Sequence, residues 1–156
     1  MRTGNIFRAL LLSAATAIGA SGCDRAPADN RGAHPIVGTW IVQDLNAPFP
    51  YHLYVFNGDG TMQQANPDAG DPRTSDSDGK GIWRVRGDHV EAKWVELMAD
   101  RTTHQYAGRL ELAMQITVKG DSLTALETAR VFDAAGAPAG APPTPQPSKG
   151  ARLMLP

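Results

Sequence analysis

The stretch that decides the fold is Arg109 to Lys119, which reads RLELAMQITVK. Apolar residues take every second position, and most of the positions between them are polar or charged. This alternation predicts a β-strand with one buried face, because successive side chains of a strand point to opposite sides. We expect the apolar set in the core and the polar set in solvent. The apolar set is Leu110, Leu112, Met114, Ile116 and Val118, and the polar set is Arg109, Glu111, Gln115 and Lys119.

Similar strand patterns precede and follow this stretch, and helical spacing of apolar residues is not evident. Pairs such as Asp59-Gly60 and Gly120-Asp121 mark tight turns between neighbouring strands. Two longer stretches, Asn66 to Gly81 and Ala134 to Ser148, are rich in turn formers or in Pro, Ala and Gly and are predicted to be loops. The predicted strands are Val37 to Leu45, His52 to Asn57, Thr61 to Ala65, Ile82 to Arg86, His89 to Met98, Arg109 to Lys119, Ser122 to Phe132 and Ala151 to Leu155.

About eight antiparallel strands joined mostly by short turns predict an all-β protein. Two architectures fit this pattern, an up-and-down barrel and a meander sandwich. We favour the barrel, because closure removes the strand edges that an open sheet of this size would expose. Closure also requires the last strand to lie beside the first strand, which carries Trp40.

The N terminus has the pattern of an export signal. Arg2 and Arg8 supply a basic start, residues 9–20 form an apolar stretch, and Ala20-Ser21-Gly22-Cys23 ends it with small residues. The apolar stretch spans roughly 18 Å as a helix, whereas a bilayer core needs roughly 30 Å. The small residues ending in Cys23 resemble the bacterial lipoprotein box, in which the cysteine is acylated and becomes the new N terminus. The alternative is an ordinary cleavage site beside a cysteine without a role.

These features divide the chain into three parts. Residues 1–22 are predicted to be a signal peptide, residues 23–35 the lipid-bearing Cys23 and a flexible tether, and residues 36–156 a single barrel domain. The lipoprotein resemblance implies a place in the bacterial cell envelope, on the periplasmic face of the inner or outer membrane, with the membrane as a partner through the lipid. Because Cys23 is the only cysteine, no disulfide can form within the domain.

The charge balance argues against several classes of function. The chain carries 15 Lys and Arg against 16 Asp and Glu, and no basic cluster follows the export signal. Nucleic-acid binding is therefore not expected. The histidines are single and have no cysteine partner, so we also expect no metal and no cofactor. The histidines are His34, His52, His89 and His104.

Four short motifs follow one another along the chain, and their order is informative about the family. They are Gly38-Thr39-Trp40, Asn57-Gly58-Asp59-Gly60-Thr61, Gly81-Ile82-Trp83 and Gly150-Ala151-Arg152. In this order they resemble the lipocalin or calycin superfamily, and more closely the small lipocalin-like domains of exported bacterial proteins. The resemblance covers Ile36 to Leu155. It implies that Trp40 closes the barrel floor and stacks on Arg152, a structural role. The family's usual disulfides are absent, and no C-terminal helix can be read.

Two acidic residues interrupt apolar strand faces. By parity, Glu96 shares a face with Trp94 and Met98, whereas Glu127 shares a face with Ala125 and Ala129. A carboxylate on such a face is costly to bury unless it is paired, and cavity carboxylates often have raised pKa values. Either both point into the barrel, or a bulge or the barrel mouth lets them reach water. If they point inward, the predicted ligand contacts are Glu96, Glu127, Trp94 and Met114.

Three functions compete on these grounds. The leading hypothesis is a binding module, an envelope lipoprotein whose barrel holds a small apolar ligand or docks a protein partner. The inner faces predict a narrow cavity at best. The second hypothesis is a barrel isomerase or cyclase with Glu96 or Glu127 as the base. The third is a structural or protease-inhibitor-like envelope protein. No nucleophile elbow or phosphate loop is present, so an enzyme is disfavoured and no catalytic residue is assigned.

Overall fold

Ten β-strands run through residues 33–68 and 71–156, the parts of the chain that the computed structural model describes. The predicted signal peptide and Cys23 lie outside the described residues. The strands are β1 (Gly38–Gln43), β2 (Tyr51–Phe56), β3 (Thr61–Ala65), β4 (Thr74–Asp76), β5 (Gly79–Arg86), β6 (His89–Asp100), β7 (Tyr106–Lys119), β8 (Ser122–Asp133), β9 (Pro138–Ala139) and β10 (Gln146–Arg152). Within these residues, no helix has the length and apolarity needed to cross a bilayer.

The strands form one closed antiparallel sheet. The order is β10-β1-β2-β3-β5-β6-β7-β8, and β8 pairs again with β10, which closes a ring of eight strands. The two remaining strands extend this wall, since β4 pairs with the end of β6 and β9 pairs with the end of β8. The all-β barrel predicted from the sequence is therefore confirmed.

Both predicted loops are shorter than expected. The stretch Asn66 to Gly81 contains β4 and the start of β5, and the stretch Ala134 to Ser148 contains β9 and the start of β10. The prediction of a last strand at Ala151 to Leu155 was also wrong, because pairing ends at Arg152 and the next three side chains are exposed. Barrel closure aligns Gln146 to Ala151 with Glu127 to Ser122, and this pairing overrides the loop-like composition.

Strand β7 buries one face as its alternation predicts. Leu112, Met114 and Ile116 are buried, and Leu110 and Val118 are partly buried and pack against the same core. Gln115 and Lys119 are exposed. The outer residues Arg109 and Glu111 are half-buried instead of exposed, because Glu111 accepts from Arg109 Nε at 2.7 Å and pairs with Lys93 Nζ at 2.6 Å.

One end of the barrel, which we call the floor, is closed around Trp40. The indole is fully buried, and its Nε1 donates to the carbonyl oxygen of Ile36 at 2.8 Å. The Arg152 guanidinium lies 4.3 Å from the indole centroid, so the stack implied by the resemblance is present. Arg152 also donates from Nη1 to Val37 O at 2.8 Å and from Nε to Asp121 Oδ1 at 3.0 Å.

The backbone conformation and surroundings of Gly38 explain why the Gly-Thr-Trp motif begins with glycine. Its φ of 135° is a conformation that side-chain-bearing residues rarely adopt. A Cβ at this position would lie 2.6 Å from Arg152 Nη1, inside the space that the guanidinium needs. The glycine is therefore required for the arginine to reach across the floor.

Candidate functional site

The opposite end of the barrel, which we call the open end, holds an unfilled cavity of about 280 Å³. Residues of β2, β4, β6, β7, β8 and β10 line it, together with the loops 44–50 and 66–68. Its apolar wall comes from Phe49, Trp94, Met98, Leu110 and Leu112. The barrel interior is thus packed at the floor and hollow at the open end.

Glu127 on β8 is one of three buried carboxyl groups in the cavity wall, with Asp44 and Glu96, and 3% of its surface is exposed. Ser148 Oγ donates to Glu127 Oε1 at 2.5 Å, and Tyr54 donates to the same oxygen at 3.4 Å. Burial, with the Asp44 carboxylate as a second cause, raises the pKa of Glu127 to about 7. The two hydroxyl donors act against this rise by stabilising the carboxylate.

Glu96 on β6 is another of these buried carboxyl groups, with 6% of its surface exposed. Burial raises its pKa to about 7, and Asp76 adds to the rise. Gln64 is the one side chain beside it that favours the charged form. Both acids are therefore divided between the neutral and the ionised form near pH 7.

The amide of Gln64 is almost fully committed elsewhere. Its Oε1 accepts from the backbone N–H of Gly79 at 3.0 Å, so Nε2 is the atom that faces Asn66 and His52. Nε2 lies 2.6 Å from Asn66 Oδ1 and 3.1 Å from His52 Nδ1. Asn66, His52 and Glu96 therefore compete for two amide hydrogens, and a His52 ring that accepts at Nδ1 carries its proton on Nε2. Burial lowers the pKa of His52, which keeps this ring neutral near pH 7.

Tyr54 and Trp94 are two aromatic residues with polar groups inside the barrel. Burial, followed by the charge of Glu127, raises the pKa of Tyr54 well above its usual value, so the phenol stays protonated. Trp94 Nε1 is buried with no hydrogen-bond partner among the described residues, although its N–H favours the charged form of the Tyr54 phenol. An unpartnered buried donor costs stability. The open end therefore contains polar groups that the barrel itself leaves poorly satisfied.

The structure brings together three of the four predicted ligand contacts. Glu96, Glu127 and Trp94 line the cavity, and both carboxyl groups point inward. Met114 does not line the cavity, because it is a residue of the hydrophobic core. It lies opposite Glu127 in the register of β7 and β8, but its side chain packs in the hydrophobic core.

Several residues of the site were missed from the sequence. Gln64 could have been found, because it alternates with buried Met62 on β3 and is a polar residue at an inward position. Asp44 could also have been found, because it alternates with buried Trp40 and Val42 in the predicted strand Val37 to Leu45. Asp68 and Asp76 could not have been found by parity, since a loop and a three-residue strand place them at the rim.

Other candidate sites carry less chemistry. A larger depression of about 780 Å³ over β5 to β7 is lined mainly by exposed side chains and has no buried polar side chain. In residues 33–68 and 71–156, no group of three or more His, Cys, Asp or Glu side chains is arranged to hold a metal ion.

Comparison with family models, curated proteins and solved structures found no match to this chain. The fold and the site therefore define the class by themselves. The protein is a closed eight-stranded antiparallel β-barrel with a packed floor and a small acidic cavity at the open end.

Proposed function

We propose that this protein is a binding module of the lipocalin-like type that holds a small, largely apolar molecule at the open end of its barrel. The observation that carries the proposal is the contrast between a packed floor and an unfilled cavity of about 280 Å³. Small barrels of eight strands are either filled by side chains or hold one ligand. The volume lies near the lower end of the range of ligand sites, roughly 300–1,000 Å³. The order of the motifs and the Trp40–Arg152 stack support the lipocalin-like assignment.

A fluorescent apolar probe tests ligand binding. N-Phenyl-1-naphthylamine should bind the full chain saturably and gain emission. Ala129 lines the cavity at its mouth, so Ala129→Trp should fill the entrance and weaken the affinity by about tenfold or more. The matched control is Thr124→Trp, an exposed position on the outer face of the same strand, which should leave the affinity unchanged. Equal binding by all three proteins would place the probe outside the barrel and remove the proposal.

We propose further that the barrel is held at the cell envelope by lipid on Cys23. The support is the basic start, the short apolar stretch and the small residues before the cysteine. One acyl chain gives marginal membrane retention, whereas two give stable anchoring. Cys23→Ser should therefore release the protein into the soluble fraction and remove the lipid mass seen by mass spectrometry. A variant that stays with the membrane at the same mass would contradict acylation of Cys23.

An isomerase or cyclase is the second candidate, and the pKa of about 7 at Glu96 favours it. A general base works best when its pKa lies near the working pH. A ligand retained by the protein should then exchange a carbon-bound hydrogen for deuterium in D₂O, and Glu96→Gln should stop the exchange. A retained ligand that takes up no deuterium on carbon would leave the binding module as the function.

A further inference from the structure

We infer that the ligand of this cavity is a small organic cation, an amine carried on an aromatic or apolar body, with the ammonium group at Glu96 and the body against Trp94. This inference rests on the proposed function and names the chemical class of its ligand. Its basis is the distribution of charge around the cavity, the unfilled hydrogen-bonding capacity of one buried acid, and the aromatic character of the wall.

The charge around the cavity has a single sign. Five carboxyl side chains line it, and no lysine or arginine of the described residues does. The nearest compensation is Arg101, which pairs with Asp68 at 2.7 Å on the rim. His52 offers no positive charge near pH 7, because burial lowers its pKa. A cavity lined by one sign of charge with apolar walls concentrates ligands of the opposite sign.

The buried acids Glu96 and Glu127 differ in the hydrogen-bond donors that the protein gives them. Glu127 receives hydroxyl donors from Ser148 and Tyr54. Glu96 has only the amide of Gln64 as a favourable partner, and the two hydrogens of that amide are shared with Asn66 and His52, so three acceptors compete for two hydrogens. An ammonium group carries three donors and a positive charge, which is the complement that a buried carboxylate with free acceptor sites lacks.

The walls suit the remainder of such a ligand. Trp94 lies two residues before Glu96 on β6, so both side chains point into the barrel from one strand. Phe49 lines the cavity from the loop 44–50. Aromatic faces attract cations through their negative quadrupole, and this attraction strengthens where water is excluded. A metal ion fits less well, because the described residues contain no clustered set of ligating side chains.

Binding of a cation must be linked to the release of protons. The titratable groups at the cavity are Asp44, His52, Asp68, Asp76, Glu96 and Glu127, with Tyr54 beside Glu127. A bound cation stabilises the ionised forms of the acids, so the affinity should rise as the pH passes through about 7, where Glu96 titrates. A neutral ligand of the same shape gains nothing from this ionisation.

Titration calorimetry with three matched probes tests the inference on the full chain. The probes are phenethylamine, 2-phenylethanol and phenylacetate, which share a shape and carry a positive, no or a negative charge. At pH 8 the amine should bind about tenfold or more tightly than the alcohol, and phenylacetate should bind most weakly. Lowering the pH to 5.5 should remove most of the advantage of the amine. An alcohol that binds as tightly as the amine at pH 8 would overturn the inference.

Variants locate the charge that selects the amine. Glu96→Gln should weaken phenethylamine by about tenfold while changing 2-phenylethanol by less than about twofold, which also shows that the barrel is intact. The matched control is Glu91→Gln on the outer face of the same strand, which should change neither affinity. Equal losses for both probes in Glu96→Gln would overturn the role of its charge. If N-phenyl-1-naphthylamine still binds and Ala129→Trp still blocks it, the proposed function stands although the cation does not.

Discussion

The floor and the open end of this barrel both contain buried tryptophans and charged side chains, but they differ in how well these polar groups are hydrogen-bonded. At the floor, Trp40 and Trp83 each donate an indole N–H to a backbone carbonyl, and Arg152 has partners for its guanidinium. At the open end, Trp94 has no hydrogen-bond partner among the described residues, and the carboxyl groups of Asp44, Glu96 and Glu127 are buried. The difference teaches that the floor stabilises the fold, whereas the open end gives up stability to keep polar groups available inside a cavity.

The largest effect should come from opening the floor. Deleting residues 150–156 removes the last three residues of β10, including Arg152, and frees the edge of β1 beside Trp40. We expect loss of cooperative thermal unfolding and exposure of tryptophan, measured by fluorescence, because an unpaired edge leaves backbone groups and core without cover. Deleting residues 154–156, which lie beyond the strand and are exposed, is the control and should leave the melting temperature unchanged. A cooperative transition in the longer deletion would show that closure is dispensable.

Truncations along β7 compare the two ends within one strand. Ile116→Ala, in the packed part, should cost toward the upper end of about 2–5 kcal/mol of unfolding free energy. Leu112→Ala should cost toward the lower end, because Leu112 already borders the cavity and loses fewer contacts. Gln115→Ala, on the exposed face, should stay within about 0.5 kcal/mol. Urea unfolding measures all three, and a larger loss for Leu112 than for Ile116 would reverse the comparison.

Glu96 and Glu127 should make the protein less stable as the pH rises. Their folded pKa of about 7 lies above the ordinary value of 4.5, so between these values the folded protein holds protons that the unfolded chain has released. The free energy of unfolding therefore falls as the pH rises from about 4.5 through 7, by on the order of 3 kcal/mol for each acid. Glu127→Gln should remove the part of this pH dependence of the unfolding free energy that is due to Glu127.

Measurements on matched variants isolate the contribution of Glu127 to the pH dependence of stability. His52 has a lowered pKa and acts in the opposite direction, so the informative quantity is the difference between Glu127→Gln and the parent protein at pH 5 and at pH 8.5. Glu111→Gln on the outer wall is the control, because its pKa is lowered by Lys93 and Arg109 and its effect appears only at acid pH. A Glu127→Gln variant with the parent's slope would show that this carboxyl is not buried as a neutral acid.

The smallest expected effect is the difference in unfolding free energy between Trp40→Phe and Trp94→Phe. Trp40→Phe removes the hydrogen bond to Ile36 and weakens the Arg152 stack, whereas Trp94→Phe removes a donor that has no partner. Beyond the shared loss of ring volume, we expect Trp40→Phe to cost about 1–2 kcal/mol more in chemical unfolding. Equal costs would mean that the floor tryptophan acts through volume alone.

The strands could be predicted wherever one face is buried and the other is exposed to solvent. Alternation along β7 identified its buried side chains, and the same parity identified Glu96 and Glu127 as acids on an apolar face. Parity placed Met114 correctly on the inner face, but it could not show that this side chain packs in the core and does not line the cavity. How far along the barrel a residue lies depends on the stagger of neighbouring strands, and this stagger is not written in the alternation.

By itself, the sequence determined the class of fold, the sidedness of its strands and the pairing of the first strand with the last, because these follow from local periodicity and from the need to close a sheet. The stack of Trp40 on Arg152 was implied by the resemblance to lipocalins, and the structure contains it. Only the tertiary structure decided what the interior does. Ser148 lies in a stretch that reads as a loop, yet barrel closure brings its hydroxyl to Glu127 across 21 residues of chain. The cavity likewise depends on where ten strands and their loops leave space. Such contacts depend on distances between segments far apart in the chain, and these distances are set when the barrel closes.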